Sequence, residues 1–231
     1  VLRQAPGKGA IFMAKVITTL ANAISSINTL LELDSTPPTS GDEDYTVWTN
    51  LINISVNIWE NEEGTLWKEL FTDLTSASDG GKTTVAGQYA YALPTNFRFL
   101  NSGYVWVDDT PFTVIKIEDL QLYEQNLGNW VYFTETYMNF NPNLTIEGGS
   151  TIKYNYYKDA TALTISTSTF EMSDPMFAVY YTLAELTKEE GNQEALNIAT
   201  QKLEAMKTKN EMTAMHQDNT TINPVGDGFG Y

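Results

Sequence analysis

The chain has 231 residues, 42% of them hydrophobic, which is enough for one large core or two smaller ones. Acidic residues outnumber basic ones 29 to 13, a net charge of −16 that works against binding nucleic acid or an anionic membrane. Cysteine is absent, which excludes disulfides, thiolate nucleophiles and cysteine-based zinc or iron–sulfur centres.

Residues 1–12 read as an N-terminal extension without the apolar run of a signal peptide, and Met13 reads as a natural start. Apolar residues recur at helical spacing from Val16 to Leu31 and predict a first helix ending near Leu33. Residues 34–44, with Pro37-Pro38 and Gly41, predict a loop. Its Asp42-Glu43-Asp44 run suits the positive end of the next helix dipole better than it suits a cation. Tyr45, Trp48, Leu51, Ile52, Val56 and Trp59 mark a second helix with a wide apolar face. Residues 65–71 predict a short third helix. Trp48, Trp59 and Trp67 fit a helix–helix core better than a ligand-stacking box.

Residues 76–82 predict a flexible connection, after which the character changes. Residues 88–93 alternate as a strand that Pro94 ends. Residues 97–100 continue as a bridging piece, and 104–107 and 112–117 form a hairpin about Asp108-Asp109-Thr110-Pro111. A helical turn is expected within 117–124. Strands are predicted at 130–133, 137–140, 143–146 and 152–157, with Gly148-Gly149 turning between the last two. Many short strands at close spacing predict an antiparallel sandwich or small barrel.

Residues 161–170 read as a Ser/Thr-rich linker. Asp174-Pro175 then opens a helix, with Asp174 as cap and Pro175 at the first position, where its missing N–H has no partner to lose. Val179, Tyr180 and Leu183 lie on its buried face. Gly191-Asn192 interrupts, and a second helix runs to about Asn210, with Lys202 among its solvated charges. From Glu211 the pattern dissolves into a tail with apolar residues at Ile222, Val225, Phe229 and Tyr231. A tail of that kind suits folding onto a partner.

The predicted fold is therefore α+β: a helical bundle from residues 13–78 and 173–210, an inserted antiparallel β-domain over 83–165, and an extended tail over 211–231. The sole histidine, His216, lies in the predicted tail, away from any Ser-His-Asp arrangement. Phosphate-binding glycine motifs are missing. Glu135 and Glu147 are conceivable as a glycosidase pair, though acids are too common here for the pairing to carry weight. No cofactor or metal is expected, and no apolar run is long enough to span a bilayer.

Three stretches carry a family likeness. Residues 45–71 combine a Leu-Ile-Asn helix core, an acidic turn and Leu-Trp-Lys-Glu-Leu-Phe. Gly87-Gln88-Tyr89-Ala90-Tyr91-Ala92-Leu93-Pro94-Thr95-Asn96-Phe97 follows. Asp174-Pro175 then opens helices that turn at Glu190-Gly191-Asn192. In this order they resemble the head-to-tail adaptor proteins of tailed bacteriophages. The resemblance implies a structural virion protein without catalytic residues, made in the host bacterial cytoplasm and assembled, usually twelve copies to a ring, below the portal. It implies portal and tail or neck proteins as partners, a tail clasping the portal through Ile222, Val225, Phe229 and Tyr231, and DNA passing without specific binding. Trp48, Leu51, Trp59, Val179, Tyr180 and Leu183 are candidates for subunit interface or core. The alternative from another class is a carbohydrate-binding or adhesin module using β-region aromatics such as Trp106 and Trp130.

Overall fold

The computed structural model describes residues 17–33, 36–73 and 82–218, without the side chains of 214–218. The predicted N-terminal extension, most of the predicted connection, and the tail residues Ile222, Val225, Phe229 and Tyr231 lie outside the described residues. The chain is α+β and divides into two compact units, one formed by residues 1–59 with 162–231 and the other by residues 60–161.

In the first unit, α1 (Leu20–Leu30) starts at Thr19, whose Oγ1 accepts from Asn22 N–H at 3.3 Å. It is shorter than the periodicity predicts because Ile17 and Thr18 lie in extended chain ahead of that cap. Leu20, Ala23, Ile24 and Ile27 form its buried face. α2 (Glu43–Glu60) carries Glu43 and Asp44 in its first turn, where the helix dipole favours them. Asp42 just precedes it and accepts from Thr39 N–H at 2.7 Å, a bond that lowers the Asp42 carboxyl pKa. α4 (Met176–Leu186) packs against both α1 and α5 (Gln193–Asp218). Asp174 Oδ1 accepts from Met176 N–H at 3.1 Å, as expected of a capping side chain, but Pro175 takes the N-cap position itself and the helix begins one residue later than predicted. Gly191, at φ +74°, supplies the left-handed residue that ends the preceding 3-10 turn.

Two further expectations fail in this unit. Helix α5 continues eight residues past the predicted end at Asn210, because residues 211–218 contain neither glycine nor proline to stop it. The predicted linker at 161–170 is docked: Leu20 and Ala21 N–H donate to Ser168 and Ser166 carbonyls at 2.9 and 3.0 Å, and Thr19 bridges Thr169.

The second unit holds a seven-stranded sheet that nearly closes into a barrel, in the order β2-β9-β5-β6-β7-β8-β3. Its strands are β2 (Lys82–Thr83), β3 (Ala90–Ala92), β5 (Tyr104–Val107), β6 (Thr110–Val114), β7 (Trp130–Phe133), β8 (Tyr137–Phe140) and β9 (Thr151–Lys153). Val105, Phe112, Val131, Met138, Phe140 and Ile152 fill the core. A separate three-stranded sheet has the order β1-β10-β4, from β1 (Phe71–Asp73), β10 (Asn155–Lys158) and β4 (Phe97–Leu100). The expected single strand over 152–157 is thus two, because the chain leaves one sheet at Tyr154 and enters the other.

Pairing is antiparallel except between β6 and β7, which are parallel. Their crossover is a 3-10 turn followed by α3 (Leu120–Tyr123), within the segment where a helical turn is expected. The β5–β6 hairpin has a two-residue turn at Asp108-Asp109, so Thr110 and Pro111 belong to β6. Pro111 is tolerated because β7 joins β6 only at Thr113, which leaves no partner for the missing N–H on that side.

Residues 65–71 are not a helix. After Gly64, at φ +73°, the chain stays extended through Trp67, makes a 3-10 turn at Lys68–Leu70, and Phe71 joins the sheet. Seven residues are too few for a helix to outweigh burial of Trp67 and Leu70 in other directions. Nor do residues 143–146 form a strand. Asn141 Oδ1 accepts from Asn143 N–H at 2.9 Å, and that Asx turn diverts the chain.

Candidate functional site

The surfaces able to meet a partner follow from which apolar faces each unit leaves uncovered. On α2, Trp48, Ile52, Val56 and Trp59 turn inward and are buried. A second apolar row, Val47, Leu51 and Ile54, follows the helical i, i+4, i+7 spacing on a different side. Val47 and Ile54 are 42% and 48% exposed, and Leu51 is half-buried. On α4, Val179 and Leu183 are buried, and Tyr180 is partly buried against Leu183 and Ala184. Trp48, Trp59, Val179 and Leu183 therefore sit inside their own unit, and Leu51 stands at the edge of the exposed row.

The second unit has a cleft of about 410 Å³ lined by Glu60, Trp67, Leu70, Arg98, Phe99 and Tyr157, among others. Arg98 organises it. One guanidinium nitrogen donates to Glu60 Oε1 at 3.0 Å and to the Glu60 carbonyl at 3.1 Å, and the other donates to Asn61 Oδ1 at 2.6 Å. Burial pushes the Glu60 carboxyl pKa up, Arg98 and a hydrogen bond from Ala160 oppose that, and neighbouring Asp159 adds to it. Phe71, Tyr157 and Phe99 stand opposite one another across the small sheet, with ring centroids 5.7 and 5.1 Å apart. This is an aromatic-walled cleft in which the Glu60 carboxylate is engaged by the Arg98 guanidinium.

The remaining sequence candidates are spread apart. Glu135 and Glu147 are exposed on separate loops. Trp130 is buried and donates its indole N–H to the Asn126 carbonyl at 3.2 Å, so it offers no open ring face, whereas Trp106 is exposed. His216 belongs to α5. Lys202, expected to be solvated, reaches Asp174 Oδ2 at 3.0 Å. Among the described residues no cluster of three acids or histidines could hold a metal, and no helix is long and apolar enough to cross a membrane.

Sequence reading missed Asn53, Arg98 and Asn141. Asn141 is fully buried and donates to the Asn126 and Gly128 carbonyls at 2.8 and 2.9 Å, which fixes the approach to β7. Arg98 carried one available signal, since it and Arg3 are the only arginines in the chain.

Two compact units, the helical one with an apolar row left open on α2, define a protein of the α+β class. A family model described as SU10 adaptor protein matches residues 18–225. The match spans most of the chain, which therefore belongs to the SU10 adaptor protein family and is a bacteriophage structural adaptor. No curated protein matches the chain at a significant level.

Proposed function

We propose that this chain is the protomer of a ring, usually of twelve copies, that joins the phage portal to the tail or neck. In this reading the ring forms part of the DNA channel and is assembled in the host bacterial cytoplasm. The carrying observation is the second apolar row on α2, Val47, Leu51 and Ile54, left open beside a face that already supplies the chain's own core. An uncovered row of this kind suits a head-to-tail contact between copies, which closes into a ring when the rotation allows.

The net charge of −16 supports the channel reading, because a surplus of carboxylates repels DNA that must slide without sticking. The helical unit would supply the contacts that close the ring, and the C-terminal residues Ile222, Val225, Phe229 and Tyr231 the hold on the portal. The test is particle mass in solution, alone and after mixing with purified portal protein. Assembly into a closed multiple of 25.8 kDa and capture by portal are expected. A monomer indifferent to portal would overturn the reading.

A further inference from the structure

The β unit carries a second concavity, of about 310 Å³, where the two sheets share the β9–β10 run of chain. Strand β5 presents Tyr104 and Trp106 to it, two residues apart and so on one side of the strand. They are 50% and 42% exposed. Other aromatics of the unit are in contact with one another: Tyr91 and Phe112 meet Phe140 edge to face, and Phe99 stacks on Tyr157. Among the described residues, neither Tyr104 nor Trp106 makes a ring contact. Their faces are open to solvent in a hollow with a polar rim, the composition of a ligand site rather than of scattered surface residues.

The rim is specific. Trp106 stands between Pro111 of β6 and Lys153 of β9 in the strand register. Asp73 of β1 stands opposite Asn155 of β10. Ser102 Oγ accepts from Tyr104 N–H at 3.0 Å, which leaves its own proton to donate. Asp108, at φ +50° in the hairpin turn, accepts from Thr151 N–H at 2.7 Å, and that bond helps keep it ionised. Asp109 completes the acceptors.

We propose that this pocket binds a saccharide, a neutral or amino-sugar pyranose, stacked on Trp106 and Tyr104 and hydrogen-bonded by Asp73, Asp109, Asn155 and Ser102. A pyranose ring offers an apolar C–H face to an aromatic plane and a fringe of hydroxyls to mixed donors and acceptors. Asn155 provides both, the carboxylates accept and Lys153 donates. Three carboxylates against one ammonium disfavour uronic or sialic acids and admit a protonated hexosamine. A lysine- or arginine-rich peptide would also suit the acids, but Lys153 stands beside Trp106 in the register, where a second cation would meet repulsion. The inference rests on this pocket alone and is independent of ring assembly.

The test applies the full chain to an array of bacterial oligosaccharides containing neutral, hexosamine and uronic acid chains. Hits are then measured by saturation-transfer NMR. Neutral or hexosamine chains should bind and uronic acid chains should not. Trp106→Ala should weaken binding on the order of tenfold or more, and Trp106→Phe, which keeps a platform, should retain most of it. Equal thermal melting of the variants separates lost binding from lost fold, and Trp106→Phe serves as the folded probe if Trp106→Ala melts early. No binding by the wild type, binding unchanged by Trp106→Ala, or Trp106-dependent capture of oligolysine in place of sugar would each overturn the proposal.

Discussion

The side-chain amide of Asn53 pairs with the backbone of Leu163, 110 residues away in sequence, as one strand residue pairs with another. Its Nδ2 donates to the Leu163 carbonyl at 2.9 Å, and its Oδ1 accepts from the Leu163 N–H at 2.8 Å. The same Nδ2 also reaches the Thr49 carbonyl at 3.1 Å. A helix side chain thereby satisfies both polar groups of a residue whose own side chain is buried.

Asn53→Leu should consequently be severe for a half-exposed helix position. It leaves the Leu163 N–H and C=O without partners, each worth about 1–3 kcal/mol. A loss of about 2–4 kcal/mol is expected in urea unfolding followed by circular dichroism. Asn53→Gln should recover little, because the longer side chain moves the amide out of register.

Glu60 predicts a pH effect of definite sign. Burial places its folded pKa above the ordinary 4.5, so the folded chain holds this proton more tightly than the unfolded chain. Its contribution to stability is therefore greatest near and below pH 4.5 and declines as pH rises through the folded value. Asp42 and Asp108 have lowered values, and their contributions fade only below their ordinary 3.8, outside that window. Glu60→Gln cannot titrate and should show a flatter fall in melting temperature between pH 4.5 and neutrality than the wild type. Parallel curves would contradict this.

The two sides of α2 should respond differently to substitution. Trp59→Ala opens a cavity in the core and should cost about 3–5 kcal/mol. Ile54→Glu lies on the exposed row and should leave the melting temperature within a few degrees of wild type. In size-exclusion chromatography with light scattering, the same Ile54→Glu protein should fail to assemble.

Helix α5 sets where the C-terminus can be cut. Removing residues 219–231 spares it, and the shortened chain should melt like the wild type and no longer be retained by portal. Removing residues 211–231 takes two further helical turns and should also lower stability. Undiminished portal binding after the shorter truncation would contradict the tail's proposed role.

Legibility from sequence followed how local each cause was. α2, the Asp174-Pro175 start and the Asp108-Asp109 hairpin were readable because periodicity, capping and turn chemistry act within a few residues. Three features depended on distant partners and left no local mark. Residues 161–170 look like a linker by composition, yet Asn53 and the start of α1 take up their backbone groups. Residues 65–71 have helical spacing, but Phe71 finds Tyr157 across a sheet. The parallel β6–β7 pair follows from a crossover that strand patterns alone do not orient. For the proposed contact surface, helical spacing found the buried side of α2 and only the margin of its exposed side, Leu51. Apolar residues look alike on both faces until the folded chain covers one of them.

Tyr154 is the single residue between β9 and β10, and hence between two hydrogen-bonded sheets. A tug delivered to the small sheet along this path reaches the large one through covalent bonds, with no interface to slip first. Force exerted on β10 would be felt at β9 and, through its pairing with β5, at the hairpin beyond. Load entering at one sheet is thereby handed to the other without relying on side-chain packing.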